Sequence, residues 1–454
     1  MRKITLKKIQ SLPLTGKYPL YYYPDINLLT LDNAVERNSA LPRNFGDTLF
    51  RYFLGLRKLT ALKEVQQPPK TLFVEPWRTC NLACTYCYAE SGPGHHNKID
   101  RNKLVTFANK YPFRQAMVFG GEPLLDAPFL TELQRAKQWD SVFFSTNGLL
   151  LGEKASQDLI ALPNIRFQIS LEPGDWPYRV TANGERQLKL IKGKLPLLRD
   201  RNPEFRVTIP ADAKHFPLKQ FICELADELG SQKFSISYWP ARTDASIPWM
   251  HRWAQESYEL IQNDPEEKYS NKLPGHQIIT YFREGVKSKF RYYNCNAAHG
   301  SVAMGPDNDI HACHELAIIE DKSDIVSTGG GTPDIDDSKR AGIAYKWSAG
   351  MKPGTCGKCD ARYLCGGICF LIGAPNSACS FISGMIESGL TGLVRYNPSE
   401  VMDLTARSEE RFKQLLGLMP GMTKEVNCQK WNRLVSGELP LGEATELANQ
   451  FLKS

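Results

Sequence analysis

Between Lys70 and about Pro240 the chain alternates between two hydrophobic periodicities. Short, β-rich apolar runs fall at Thr71–Val74, Ala116–Phe119, Val142–Ser145, Ile165–Leu171, Phe205–Ile209 and Phe234–Trp239. Segments with a helical repeat stand between them, as at Arg101–Lys110, Ala127–Trp139 and Leu218–Leu229. Six strand–helix units in succession predict an α/β fold with a parallel sheet and helices outside it. Six units fall short of eight, so the expected form is a partial, open (β/α)6 barrel. In such folds chemistry collects on the loops that follow the carboxyl ends of the strands.

The flanks read differently. Residues 1–68 form a small α+β unit: Pro19–Tyr23 and Leu28–Leu31 read as short strands around a Pro24–Asn27 turn, followed by a helix near Thr48–Leu62. The Pro68-Pro69 pair marks its boundary with a barrel domain at 69–290. Residues 291–385 are irregular, rich in cysteine and glycine, and dependent on metal for folding. Residues 386–454 read as a helical tail.

With 42% hydrophobic residues in 454, the chain has material for a sizeable core. The net charge of +7 suits an acidic peptide or an acidic electron donor, and is too small and dispersed for nucleic acid. No apolar run reaches membrane-spanning length and the start is not a secretory signal, so a cytoplasmic location with no membrane partner is expected.

The twelve cysteines sharpen this picture. Three lie between residues 80 and 87 and seven between 295 and 379, while Cys223 and Cys428 stand alone. Tight clusters without a signal indicate metal rather than disulfides. Cys223, in an apolar helical stretch, reads as core.

Cys80, Cys84 and Cys87 follow the first barrel strand directly. Three thiolates on one loop can hold three irons of a [4Fe–4S] cube and leave the fourth open; zinc, with His95 or His96 as a fourth ligand, is the alternative. Three more segments end the next three strands: Gly120-Gly121-Glu122-Pro123, Ser145-Thr146-Asn147-Gly148 and Ser170-Leu171-Glu172. Together with the C-x3-C-x2-C spacing and the aromatic Tyr86 before its last cysteine, these segments resemble the radical S-adenosylmethionine superfamily.

The resemblance implies that Cys80, Cys84 and Cys87 carry the catalytic cluster. It implies S-adenosylmethionine contacts at Tyr86, Gly120, Gly121, Glu122, Asn147 and Ser170, with Glu172 standing where aspartate is usual. Arg179 or Arg186 is a candidate for the methionine carboxylate, and Arg186 is counted among the cofactor contacts. The implied chemistry is reductive cleavage of the cofactor to a 5′-deoxyadenosyl radical that abstracts hydrogen from a substrate.

The later cysteines run Cys356-x2-Cys359-x5-Cys365-x3-Cys369, then Cys379, preceded by Cys295 and Cys313. Seven thiols exceed one tetrahedral zinc site and fit two clusters. The pattern resembles the SPASM extension of the same superfamily. That implies an outer auxiliary iron–sulfur cluster on Cys356, Cys359, Cys365 and Cys379, and an inner one on Cys295, Cys313 and Cys369. Two departures stand out. Asn308 replaces the usual glycine in a Pro-Asp-Gly turn, and asparagine tolerates the left-handed conformation such a turn needs. No cysteine occurs in 285–294, which leaves an open iron or a ligand such as His299 or His314 at the inner cluster.

Relatives with this extension act mainly on ribosomally made precursor peptides. The implied partners are a precursor peptide, a separate leader-binding protein that docks on a strand edge, and a flavodoxin- or ferredoxin-type electron donor. The alternatives are a maturase making formylglycine in a sulfatase, and a non-catalytic iron–sulfur or zinc protein.

Overall fold

The computed structural model describes residues 4–5, 21–23, 28–30, 45–210, 212–241, 250–263, 268–269, 272, 296–318, 325–327, 333–348, 356, 359 and 398–451. In chain order the elements that matter here are strands β1 (Ile4–Thr5), β2 (Tyr21–Tyr23) and β3 (Leu28–Thr30), then helix α1 (Phe45–Glu64). They continue with β4 (Thr71–Val74), α2 (Arg101–Lys110), β5 (Gln115–Val118), α3 (Ala127–Ala136), β6 (Ser141–Thr146), α4 (Lys154–Ile160) and β7 (Ile165–Ser170). Next come α5 (Gln187–Ile191), β8 (Glu204–Ile209), α6 (Leu218–Leu229), β9 (Ser235–Pro240) and α7 (Met250–Asn263). The described elements end with β10 (Ser301–Met304), β11 (Ile310–His311), α8 (His314–Ile318), α9 (Asp337–Trp347), α10 (Pro398–Asn427), α11 (Gln429–Ser436) and α12 (Leu441–Phe451).

The chain divides into two compact units, one of which spans residues 64–247 and 296–344. Its sheet has the order β11-β10-β4-β5-β6-β7-β8-β9. The six strands from β4 to β9 are parallel throughout and the sheet is open, as the alternating pattern predicts. Two further strands come from the segment read as irregular: β10 runs parallel to β4, and β11 antiparallel to β10. At four and two residues they are too short to show a period.

Register divides the sheet residues into two faces. Leu72, Ala116, Val142, Ile165 and their neighbours Val74, Val118, Phe144, Ile169, Phe205, Val207 and Ile236 share the buried, apolar face. Helices bring matching stripes, with Phe107, Leu130, Leu133, Phe221, Ile222 and Leu225 all buried. The opposite face carries Phe73, Met117 and Phe143 on β4–β6 but Gln168, Ser170, Glu204, Arg206 and Ser237 on β7–β9. A sheet with one aliphatic face and one mixed face is packed on the first and left to do chemistry on the second.

Local signals set the helix boundaries. Asp100 caps α2 by accepting from the N–H groups of Asn102 and Lys103, at 2.9 and 3.1 Å. Asp126 caps α3 through Phe129 N–H, and Gly230, left-handed at φ 64°, closes α6. Cys223 on α6 is half-buried rather than core, since the apolar stripe of Phe221, Ile222, Leu225 and Leu229 passes beside it.

The other unit takes in residues 1–63, 248–295 and 345–454. Its antiparallel β1-β2-β3 sheet and α1 pack with the carboxyl-terminal helices. Phe45, Leu49 and Phe53 meet Phe412, Leu415 and Met419, and Gly55 lets α1 sit directly on Trp431. One hairpin and one helix expose too much apolar surface to stand alone, and α10–α12 cover it. The β3 edge is occupied within the chain: Leu29 N–H donates to Ser408 Oγ at 2.8 Å. Among the described residues no helix is long and apolar enough to cross a membrane.

Candidate active site

The cysteine loop, the Gly120–Pro123 segment, the Asn147 segment and the Ser170–Glu172 segment leave β4, β5, β6 and β7 at their carboxyl ends, side by side along the sheet. The sequence motifs therefore converge on one edge. Backbone hydrogen bonds lock them together. Gly121 N–H donates to Trp77 O and Glu122 N–H to Thr79 O, each at 2.9 Å, so the β5 exit extends the pairing along the strand leading to Cys80. A Cβ on Gly121 would lie 1.9 Å from Thr79 O, and one on Gly120, whose φ is +106°, 2.7 Å from Trp77 O. The two glycines are small because a neighbouring backbone touches them.

Glu122 is buried, and its carboxylate is taken up by this chain. It accepts from Leu124 N–H at 2.9 Å, Thr146 Oγ1–H at 2.6 Å and Asn147 N–H at 2.7 Å. Burial pushes its carboxyl above the usual range, partly offset by these donors. Glu122 thereby ties the β5 exit to the β6 exit. Asn147 passes the connection to the cysteine loop, donating from Nδ2 to Asn81 Oδ1 at 2.7 Å and to Cys80 Sγ at 3.7 Å.

The loop after β7 closes the other side. Ala83 N–H donates to Val180 O at 2.8 Å and Thr85 N–H to Tyr178 O at 3.2 Å, a short ladder between the cysteine loop and residues 178–180. The Glu172 carboxylate holds that ladder in place by accepting from the N–H groups of Tyr178 and Arg179, at 3.2 and 3.0 Å. Gln187, with no motif to flag it, donates from Nε2 to Ser170 O at 2.6 Å and also to Asn147 O, bridging the β6 and β7 exits.

The three thiols share one environment. Cys80 and Cys84 are raised by burial, Cys80 to about 12, with the Glu122 carboxylate and the neighbouring sulfurs adding to the effect. The Arg179 guanidinium opposes the rise at Cys84. Cys80 and Cys84, whose ionisation burial opposes, form with Cys87 three soft donors that fit a cationic iron cluster, whose charge supplies the missing compensation. Around them lie orphaned polar atoms: Tyr86 Oη, Glu172 Oε1 and Arg179 Nε are buried with no hydrogen-bond partner among the described residues. The Arg179 and Glu172 charges act on each other beside the Tyr86 hydroxyl, and the hydrogen-bonding capacity left on all three beside a thiol loop fits a zwitterionic ligand such as S-adenosylmethionine.

Of the two arginines, Arg179 lies against the site, its guanidinium 5.7 Å from the Tyr86 ring centroid. Arg186 pairs with Asp175 near the surface and heads α5. Ser170 Oγ is 3.2 Å from Ser145 Oγ. Beside the Glu172–Gln187 loop opens a cavity of about 1000 Å³ that reaches Lys214 and Phe216.

In the second cysteine field, Cys313 is buried, and Cys356 and Cys359 are half-buried and joined by a turn, with Cys359 N–H donating to Cys356 O at 3.0 Å. Cys295, Cys365, Cys369 and Cys379 lie outside the described residues. His299 is fixed between Ala297 O and Glu64, while His314 stacks on Phe73 and Phe119, 4.9 and 5.3 Å between ring centroids, on the mixed face. Asn308 adopts the left-handed turn expected of it, at φ 65°. Its Oδ1 also accepts from Asp100 N–H at 2.8 Å, a bond glycine cannot make.

Comparison with known proteins agrees with this arrangement. Residues 74–202, which hold the cysteine loop and the four strand exits, match the Radical SAM superfamily. A probable GTP 3′,8-cyclase of Archaeoglobus fulgidus is 31% identical over 121 residues, 26% of this chain and 40% of the relative. The GTP 3′,8-cyclase of Chlorobaculum tepidum is 38% identical over 79 residues, 16% of this chain and 24% of the relative. The chain thus spans well under half the length of the curated relatives it matches. The solved structure of native anSMEcpe with bound AdoMet and the Kp18Cys peptide has a TM-score of 0.53 at 14% identity, covering 75% of this chain and 99% of that one. At such identity the likeness concerns the fold.

Proposed function

We propose that this enzyme modifies a ribosomally made precursor peptide by radical chemistry, with a [4Fe–4S] cluster on Cys80, Cys84 and Cys87. When bound, the cluster and S-adenosylmethionine supply one-electron cleavage of the sulfonium and a 5′-deoxyadenosyl radical that removes a substrate hydrogen. The residues of this chain do the positioning. Glu122, Asn147 and Gln187 fix the strand exits, Glu172 fixes the 178–180 ladder, and Arg179 places a cation beside Cys84 and Tyr86. Two auxiliary clusters, on Cys356, Cys359, Cys365 and Cys379 and on Cys295, Cys313 and Cys369, complete the reading; they suit a substrate radical that loses a second electron.

The interlocking of four strand exits around the cysteine loop carries this reading. The peptide assignment draws support from the later cysteine pattern, from the net positive charge, and from a protein of the same fold that binds AdoMet and a peptide together. The cyclase relatives make a nucleotide the competing substrate.

Anaerobically reconstituted enzyme with dithionite is expected to form 5′-deoxyadenosine, and Cys84→Ala to form none. Co-expression with short open reading frames next to its gene, followed by tandem mass spectrometry, is expected to show a mass change confined to one peptide. Cys359→Ala is expected to keep much of the deoxyadenosine formation and lose that mass change. Unchanged peptides together with turnover of GTP refute the assignment.

A further inference from the structure

Arg206 is the third of the six residues of β8, in register with Ser170, the last residue of β7, on one side and with Ser237 on the other, on the mixed face of the sheet. The polar residues around it satisfy one another. Glu204 Oε1 accepts from Gln168 Nε2 at 2.7 Å and from Ser237 Oγ at 2.8 Å, and Ser145 pairs with Ser170. The Arg206 guanidinium makes no hydrogen bond or ion pair among the described residues. It is crowded enough that desolvation lowers its pKa from the ordinary arginine value, with Glu204 acting on it only at a distance.

A half-buried arginine with five donors, no acceptor and no protein partner is costly to keep. It is retained where a ligand completes it, and the planar guanidinium matches a carboxylate through two parallel hydrogen bonds. The methionine end of the cofactor belongs with the cysteine loop, where Arg179 already supplies a cation beside Cys84. Arg206 lies on the far side of β7 from that loop's partner strands, beside Ser170.

We propose that Arg206 is a substrate-binding residue that receives a carboxylate of the peptide, an aspartate or glutamate side chain or the carboxyl terminus, on the mixed face beside the cofactor site. The proposal rests on the peptide-modifying reading and narrows it: the modified segment carries an acidic group next to the residue attacked.

The test uses reconstituted full-length enzyme, Arg206→Met and Arg206→Lys, with acetyl-Gly-Glu-Gly-amide and its glutamine counterpart as probes at millimolar concentration. The glutamate probe is expected to raise the melting temperature of wild type by about 2 °C, that of Arg206→Lys by less, and that of Arg206→Met not at all; the glutamine probe shifts none. Without probe, Arg206→Met is expected to melt at or above wild type, because a half-buried charge without a partner has been replaced by an apolar side chain. S-adenosylmethionine affinity is expected to stay within twofold.

Four results overturn the inference. A tenfold loss of S-adenosylmethionine affinity in Arg206→Met assigns the anion to the cofactor. A shift by GTP in place of the peptide assigns it to phosphate. A lower melting temperature in Arg206→Met, with no probe-dependent difference, makes the residue structural. A wild type that forms 5′-deoxyadenosine yet does not respond to the glutamate probe removes the carboxylate site alone, whereas one that forms no deoxyadenosine removes the underlying reading.

Discussion

Gly121→Ala tests whether the active site is assembled by backbone contact between strand exits. The added Cβ would sit 1.9 Å from Thr79 O, 2.6 Å from Thr79 C and 2.9 Å from Arg78 C. All three atoms are backbone, so no side chain can swing aside, and the exits must part by about 1.5 Å to restore ordinary contact. That movement stretches the Gly121–Trp77 and Glu122–Thr79 hydrogen bonds from 2.9 Å to about 4 Å or more, beyond useful geometry. Two lost backbone bonds contribute about 2 kcal/mol, and residual overpacking about 1 kcal/mol more. The expected loss is therefore about 3 kcal/mol, read by urea unfolding of the apoprotein under anaerobic conditions. Because the same movement carries Thr79 away from the β5 exit, iron incorporation on reconstitution falls as well. Gly94→Ala, where an added Cβ meets nothing within 4 Å, is the control and should stay within about 0.5 kcal/mol. A Gly121→Ala protein with wild-type stability and full iron content would falsify the packing argument.

Other substitutions probe other links. Glu122→Gln keeps one oxygen but turns an NH2 group toward a backbone or hydroxyl donor, so a loss of about 2 kcal/mol is expected, together with weaker S-adenosylmethionine binding measured by equilibrium dialysis; unchanged values in both assays would show that the carboxylate does not organise the β6 exit. Asn308→Ala combines a left-handed non-glycine residue with loss of the bond to Asp100 N–H and should cost about 2 kcal/mol, whereas Asn308→Gly should cost about half that, and equal losses would rule out the conformational share. Lys58, buried against the Tyr345 ring, has its pKa lowered to about 8 by burial first and by Arg57 second. Its folded pKa lies below its unfolded value of 10.5, so the unfolded chain binds the extra proton and stability rises with pH between about 8 and 10. Lys58→Met is expected to flatten this rise by about 2 kcal/mol, and matching pH profiles for the two proteins would refute it.

Much of the site was legible in the chain because its signals are local. Cysteine spacing, glycine pairs and strand-terminal Thr-Asn-Gly are runs of adjacent residues, and the alternation of strand and helix places each run at a strand exit. The left-handed turn at Asn308 could likewise be read from residue type. Gln187 and Arg179 carried no such mark. A glutamine between two strand exits looks like any glutamine, and the choice between Arg179 and Arg186 depends on which side of one loop faces inward.

The order of the six parallel strands, the face each presents and the edge where chemistry gathers were determined by the sequence itself, since hydrophobic period and handed crossovers leave few arrangements. Only the tertiary structure decided what each of these side chains does: Glu122 serves as a tie between strand exits, the glycines as contact points for the backbone before Cys80, and Arg206 as a cation left over among partnered neighbours. Those roles depend on distances between residues far apart in the chain, where hydrogen-bond partners and desolvation are fixed by packing rather than by local pattern.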